Sequence, residues 1–436
     1  MSRLLLRQAE VVTMDEAGDL PATDVLVENG EIVAIGRGLS ATDAEVVDAA
    51  GCIALPGIID AHTCLWQTVL RNWVPDLWGG RYFGELLPMR RRFRAQDNHS
   101  GGWIGGSELL SCGTTTVVDY CHNIAGPGYA EAAIAGLKES GIRHVFTYSF
   151  MNEQPDDFAH TRARFADAAR IFQQFHDASG MTTIHFGIES VGAPGLSEQL
   201  AFARERGAMS CIHINVRDEI RRLQADDLLG PDLLAIHGNL ITDAELGAMA
   251  KAGMPLCFTP SADVQGTPAD VVRRARLLGV PVVYGCDVPC HVSSDTLQQL
   301  RYLFHVQGYI DGSVARDRGP VHTRRPVPAE AMPLLRPRDL LRSATIEAAA
   351  VLGMDSRIGS IAVGKRADIV LVRKDGFGGA AGDPCAYVLL QASARNIDTV
   401  VVDGVVRVRA GRVEGFDAER ASRLASEARQ RLVGVA

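Results

Sequence analysis

The chain has no C-x-x-C pair, and its nine cysteines are an odd number scattered through apolar segments, Cys52, Cys112, Cys211 and Cys257 among them. That excludes a closed tetrathiolate zinc site and a disulfide framework, and it predicts buried free thiols. No stretch approaches the roughly 18 apolar residues of a membrane helix, and the opening MSRLLLRQAEVVTM holds only three consecutive leucines, too short a run for a secretory signal. Positive charge is in deficit: 44 Lys and Arg face 52 Asp and Glu, a net charge of −8. No basic field exists to hold nucleic acid or anionic lipid, so a cytoplasmic protein with neither nucleic-acid nor membrane partner is expected. The Arg-rich runs Arg90–Arg94 and Arg324–Arg325 read as solvated faces. Gly-rich phosphate loops and the GxSxG elbow are missing too, which removes the dinucleotide, P-loop and serine-hydrolase readings.

What is present is a composition 47% apolar and 22% charged over 436 residues, ordinary for a globular protein and long enough for one large barrel with a smaller domain beside it. The first 55 residues read as short strands of a small antiparallel unit, with Asn29-Gly30 as a two-residue hairpin turn. From Ile58 onward apolar strands alternate with helical segments, the strands falling near residues 58, 116, 145, 184, 212, 234, 256 and 282. Eight is the number that closes a (β/α)8 barrel. After the helix-like RDLLRSATIEAAAVLGM the chain returns to strands, with Asp403-Gly404 as another hairpin, and it ends in the amphipathic DAERASRLASEARQRL. The expected fold is therefore α/β: a (β/α)8 TIM barrel over residues 58–358 beside a small β-sandwich built from both termini, residues 1–57 and 359–436, the latter including a C-terminal helix packed on the surface.

In such barrels the reacting groups sit at the C-terminal ends of the strands. There the sequence places His62 in IIDAHTC, His213 in CIHINV, His237 in LLAIHGN and Asp287 in VVYGCD. One histidine ending a buried strand is ordinarily a hydrogen-bonded core residue. Three histidines and an aspartate on four different strand ends instead make a scaffold for a borderline metal such as zinc or iron. The aromatic segment WVPDLWGGRYFGELLPMRRRF, after the first barrel strand, either covers a small-molecule pocket or forms a subunit interface.

The stretches LPGIIDAHT, LWQTVLRN, SCGTTTVVDYCHN, IHGNLITDAEL, LGVPVVYGCDVP and ATIEAAAVLGMDSRIGSIAVGKRADIVLV together resemble the amidohydrolase superfamily, in its cytosine-deaminase-like and chlorotriazine-hydrolase-like branch, from about residue 3 to residue 415. The resemblance implies Zn2+, or alternatively Fe2+ or another divalent transition metal. It would be held by an HxH pair after the first strand, a histidine after the fifth, one after the sixth and an aspartate after the eighth, with a carboxylate shuttling protons. Carried onto this chain, the implied metal ligands are His62, Cys64, His213, His237 and Asp287. Two of them carry implied catalytic roles as well: Asp287 takes the proton of water, and His237 stabilises the developing oxyanion.

Two residues depart from that pattern. Cys64 stands at the second histidine of the pair, and it is either a thiolate ligand or a small buried thiol filling the space of an imidazole. Val216 stands where the family's HxxE has glutamate, and valine moves no proton. Asp218 and Glu219 read as solvated loop carboxylates, which leaves Glu189 in HFGIES as the better substitute, with His185 at the same strand parity. Cys290 and His291 in CDVPCH read as loop residues without metal duty. The leading expectation is a hydrolase or deaminase of C–N bonds in a small substrate. The alternative is a metal-binding, catalytically weakened subunit that pairs with an active paralogue, similar to the non-catalytic chain of the two-chain 2-aminoisobutyrate hydroxylase. Either reading expects a small-molecule substrate and an oligomer, of this chain alone or with a paralogous one.

Overall fold

The computed structural model describes residues 2–40, 42–74, 81–150, 162–188, 190–192, 195–264, 270–317, 335–374 and 382–434, the last five of the 270–317 stretch as backbone only. Glu189, the Arg324–Arg325 pair and positions 75–80 of the aromatic segment lie outside the described residues. No described helix is long and apolar enough to cross a membrane.

Eight parallel strands follow one another around a barrel: β6 (Ile58–Thr63), β7 (Thr114–Cys121), β8 (Arg143–Ser149), β9 (Thr182–Ile188), β10 (Ser210–Ile214), β11 (Leu233–His237), β12 (Leu256–Phe258) and β13 (Val282–Tyr284). They occupy the eight expected positions. β-Branched and aromatic residues dominate them, and β6 to β9 are buried along their whole length, as parallel strands between a filled interior and a helical jacket must be. The barrel closes just past the last strand. Thr63 and Asp287 form a parallel bridge, with Cys64 N donating to Asp287 O at 2.8 Å and Asp287 N donating to His62 O at 2.9 Å. Gly285 permits this approach, because a Cβ at that position would lie 2.3 Å from His62 O.

The remaining strands make one nine-stranded sheet from both ends of the chain: β1 (Arg3–Val12), β2 (Asp19–Glu28), β3 (Glu31–Gly36), β4 (Glu45–Asp48), β5 (Cys52–Pro56), β14 (Ile369–Arg373), β15 (Ile397–Val402), β16 (Val405–Arg409) and β17 (Arg412–Val413). The N-terminal part is mixed rather than purely antiparallel. After the β1–β2–β3 meander the chain returns to the free edge of β1, so β4 and β5 pair with it in parallel. Asn29-Gly30 and Asp403-Gly404 are both two-residue turns with positive φ at each residue, 50° and 84° in one and 53° and 77° in the other, which is the geometry such hairpins need. The two turns stand back to back, so close that a Cβ on Gly404 would lie 2.3 Å from Gly30 Cα.

One buried cation ties the two parts together at the end of the barrel opposite the strand C-termini. Arg143, first residue of β8, is 1% exposed and grips Asp368 with Nε at 2.7 Å and Nη2 at 3.0 Å. Its Nη2 also reaches Asp403 in the turn, at 3.0 Å. The C-terminal helix Ala418–Val433 buries Ala428 and Leu432 beside the loop that follows β6. Arg429 there donates to Arg71 O at 2.7 Å, and Arg92 donates to Leu432 O at 2.9 Å.

Candidate metal centre at the barrel mouth

Strand alternation puts Asp60, His62 and Cys64 on one side of β6 and its extension, facing the barrel interior. His62 is fully buried and Cys64 is 1% exposed. Ligand atoms of His62, Cys64 and Asp287 lie within 4.8 Å of one another, brought together by the closing bridge just described. The other two expected histidines border this cluster. The His213 ring centroid is 5.2 Å from that of His62 and 5.3 Å from that of His237, and the His237 ring is 6.1 Å from His62. All five expected residues thus converge on the mouth of the barrel, three of them in the tighter group.

His237 and Asp287 share a backbone signature of a built site. Both have positive φ, 73° and 64°, a conformation that costs a non-glycine residue of order 1–3 kcal/mol. The Asp287 turn is held by the same backbone bridge that closes the barrel.

His62 shows most clearly what the cluster can accept. It is completely buried, its Nδ1 has no partner, and its Nε2 lies 3.3 Å from Asp287 Oδ1 without hydrogen-bond alignment. A buried imidazole left so poorly satisfied beside a thiol and a carboxylate is a nitrogen, sulfur and oxygen donor set of the kind borderline divalent metals take. Burial raises the Cys64 thiol well above its usual range, and Asp287 and Asp119 push in the same direction, so thiolate at this position requires a neighbouring cation. Burial would raise the Asp287 carboxyl, but the adjacent His62 imidazole and the field of His237 bring it below its ordinary value. At His237, burial lowers the pKa while Asp263 and Asp287 raise it further, to about 9.

Further residues that the sequence did not single out complete the surroundings. His122, at the end of β7, is buried with Nδ1 3.7 Å from Cys64 Sγ and 3.4 Å from the Trp66 indole nitrogen. Its inward parity with Tyr120 is the signal that could have found it. Asp119 accepts Leu65 N at 2.9 Å, fixing the loop after β6, and burial lifts its carboxyl to about 7. Asp60 lies deeper, accepting His62 N at 3.1 Å, and burial raises it to about 6. Gln67 is fully buried, donating to Tyr82 OH at 2.8 Å and accepting from Cys290 Sγ at 3.1 Å. The aromatic segment therefore brings at least Tyr82 beside the site, and Cys290 is a buried member of the same network.

Two sequence expectations change. Glu219 is not a solvated loop carboxylate: it is 8% exposed, and its Oε2 accepts Asn215 N at 2.7 Å and Val216 N at 2.8 Å, holding the turn after His213. A carboxylate three or four residues past two free amides at a helix start is drawn inward by them. Arg90 is not part of a solvated face either, since it is buried and donates to His122 O at 2.8 Å. His185 is buried with an unpartnered Nδ1, and desolvation holds its pKa near 3. Val216 is 63% exposed.

A model of the amidohydrolase family matches residues 53–407. A 5-methylthioadenosine/S-adenosylhomocysteine deaminase from Desulforudis audaxviator is 27% identical over 463 aligned positions, covering 99% of each chain. A 5'-deoxyadenosine deaminase from Methanothermobacter thermautotrophicus is 26% identical, covering 96% of this chain and 97% of its own. Among solved structures, an adenosine deaminase from Xanthomonas campestris with bound zinc superposes with a TM-score of 0.87 at 20% identity, over 100% of this chain and 99% of that one. A variant of atrazine chlorohydrolase from Arthrobacter aurescens, complexed with zinc and atraton, gives 0.83 at 23% identity over 98% and 99%.

Proposed function

We propose, from the premise that this chain belongs to the amidohydrolase family, that it hydrolyses a C–N bond in a small molecule, releasing ammonia from an amino-substituted heteroaromatic ring of the adenine type. The observation that carries this reading is the convergence of His62, Cys64, His213, His237 and Asp287 on one barrel mouth, with the tight group at its closing seam. The relatives named for deamination of adenine nucleosides support the substrate class.

In this reading the five residues hold a divalent metal ion, zinc by analogy with the zinc-bound structural neighbours. Bound there, the ion would supply Lewis acidity that lowers the pKa of a water. Asp287 is the one carboxylate in the tight group, and its depressed pKa keeps it ionised to accept the proton of the attacking water. With valine at position 216, the same carboxyl hands that proton to the leaving amine. His237, one of those five, would help hold the positive charge that steadies oxygen as the ring carbon becomes tetrahedral. Tyr82, anchored through Gln67 beside the cluster, would border the substrate ring. A weakened subunit of an oxygenase pair, the alternative raised by the sequence, has no support in these relatives.

The test begins with metal content after gel filtration, expected near one equivalent of zinc per chain. Ammonia release is then followed with adenosine, 5'-deoxyadenosine, 5-methylthioadenosine, S-adenosylhomocysteine and amino-triazines. Turnover of at least one, abolished by a chelator and restored by zinc, supports the assignment. A chain that holds its metal and releases ammonia from none of them sinks it.

A further inference from the structure

Asp263 lies outside every motif that brought the candidate ligands together, in the short helical turn Pro260–Asp263 after β12. It is 5% exposed, and both its oxygens are occupied by donors. Oδ2 accepts Thr259 N at 2.7 Å and the Thr259 hydroxyl at 2.9 Å. Oδ1 accepts Asn239 Nδ2 at 2.9 Å and lies 3.0 Å from His237 Nδ1. A carboxyl surrounded in this way is an acceptor at every position.

The second neighbour of His237 Nδ1 is the Thr259 hydroxyl oxygen, at 3.2 Å. That hydroxyl has one proton and gives it to Asp263, so toward the imidazole it can only accept. Both groups facing Nδ1 are therefore acceptors, and the ring must carry a proton there. Nε2, across the ring, is the nitrogen left for the site. His62 has no such orienting partner at Nδ1.

We infer that Asp263 is a positioning residue: it pins a proton on His237 Nδ1 and so presents Nε2 as the atom that binds a divalent metal ion. Second-sphere carboxylates of this kind set tautomer and ring orientation together. The inference rests on the metal-site reading above.

Asp263→Asn tests it, because an amide of the same shape must turn its NH2 toward one of two donor pairs and cannot accept from all four. Zinc affinity, measured by competition with a chromophoric chelator, is expected to fall about 10–100-fold. Thr259→Val, which leaves the Asp263 carboxylate facing His237, is expected to weaken zinc by less than about threefold. A second readout needs no metal. In the 15N-histidine-labelled apoprotein the Nδ1–H of His237 should give an exchange-protected low-field proton, assigned by its loss in His237→Asn and absent in Asp263→Asn.

Zinc affinity in Asp263→Asn equal to that in the wild type, equal losses in Asp263→Asn and Thr259→Val, or persistence of the low-field proton in Asp263→Asn would each overturn the inference. If the wild-type chain takes up no zinc at all, the metal reading fails, and the presence or absence of the proton signal alone decides the role of Asp263.

Discussion

Replacing Arg143 by methionine should destabilise the protein by about 3–5 kcal/mol, the range for removing one partner of a buried ion pair. The structure locates most of that loss. Asp368 has a side chain only 2% exposed and loses both guanidinium contacts, at 2.7 and 3.0 Å, while keeping the Asp403 amide as a donor at 2.8 Å. Asp403 is 30% exposed and retains Arg366 at 2.7 Å, so water and that second cation cover most of its share. Gly180 O also loses one of its two guanidinium donors, at 2.8 Å, and keeps Arg357 at 3.1 Å. Methionine keeps the length of the stem, so the effect is charge and hydrogen bonding rather than a cavity. In urea unfolding followed by circular dichroism, the midpoint should fall by roughly 1 M, taking a slope of a few kcal/mol per M for a chain of this size. Adding Asp368→Asn to Arg143→Met removes the orphaned carboxylate and should recover part of the loss. A single variant within about 1 kcal/mol of wild type, or a double variant less stable than the single one, would refute the claim that this cation couples barrel and sheet.

Three further outcomes are expected. Val216→Glu, at a position 63% exposed and able to accept a charge, should raise ammonia release about 10²-fold or more by adding an acid-base carboxylate, and an unchanged rate would show that proton transfer does not limit turnover. Glu219→Ala strips the charged acceptor from two partly buried amides at 2.7 and 2.8 Å and should cost about 1–3 kcal/mol; hydrogen exchange at Asn215 and Val216 should accelerate, and unaltered protection would contradict the capping role. His144 is buried, and desolvation holds its pKa at about 4 against an ordinary 6.5. Its depressed value favours the neutral form in the fold, so its contribution is complete above pH 6.5 and drains away as pH falls toward 4, by about 3 kcal/mol in all. Acid unfolding of His144→Gln should show a shallower limb across that window, and an identical slope would reject the assignment.

The barrel was legible because eight apolar strands and their helices repeat, and because Asn29-Gly30 and Asp403-Gly404 need only local turn chemistry to be recognised. His62, His213, His237 and Asp287 were legible for a related reason, since each ends a strand and strand ends meet at one face of a closed barrel. Asp263 was not. It sits in a four-residue helical turn with no period to read, and its importance arises only when β11 and β12 lie side by side. Glu219 was misread because the two amides that draw it inward belong to backbone, and backbone donors leave no letter in a sequence. The mixed pairing of β1 likewise depends on which edge stays free after a meander, a choice made by the whole sheet.

The seam between β6 and β13 gives the candidate centre a place in time as well as in space. His62 and Cys64 leave the ribosome early, whereas Asp287 follows after about half of the chain. The bridge from Thr63 to Asp287 joins the first and last strands, so the tight donor group exists only where the barrel is closed. An ion captured there would span the first and last strands as a clasp, holding shut the one junction of the barrel that no helix connects.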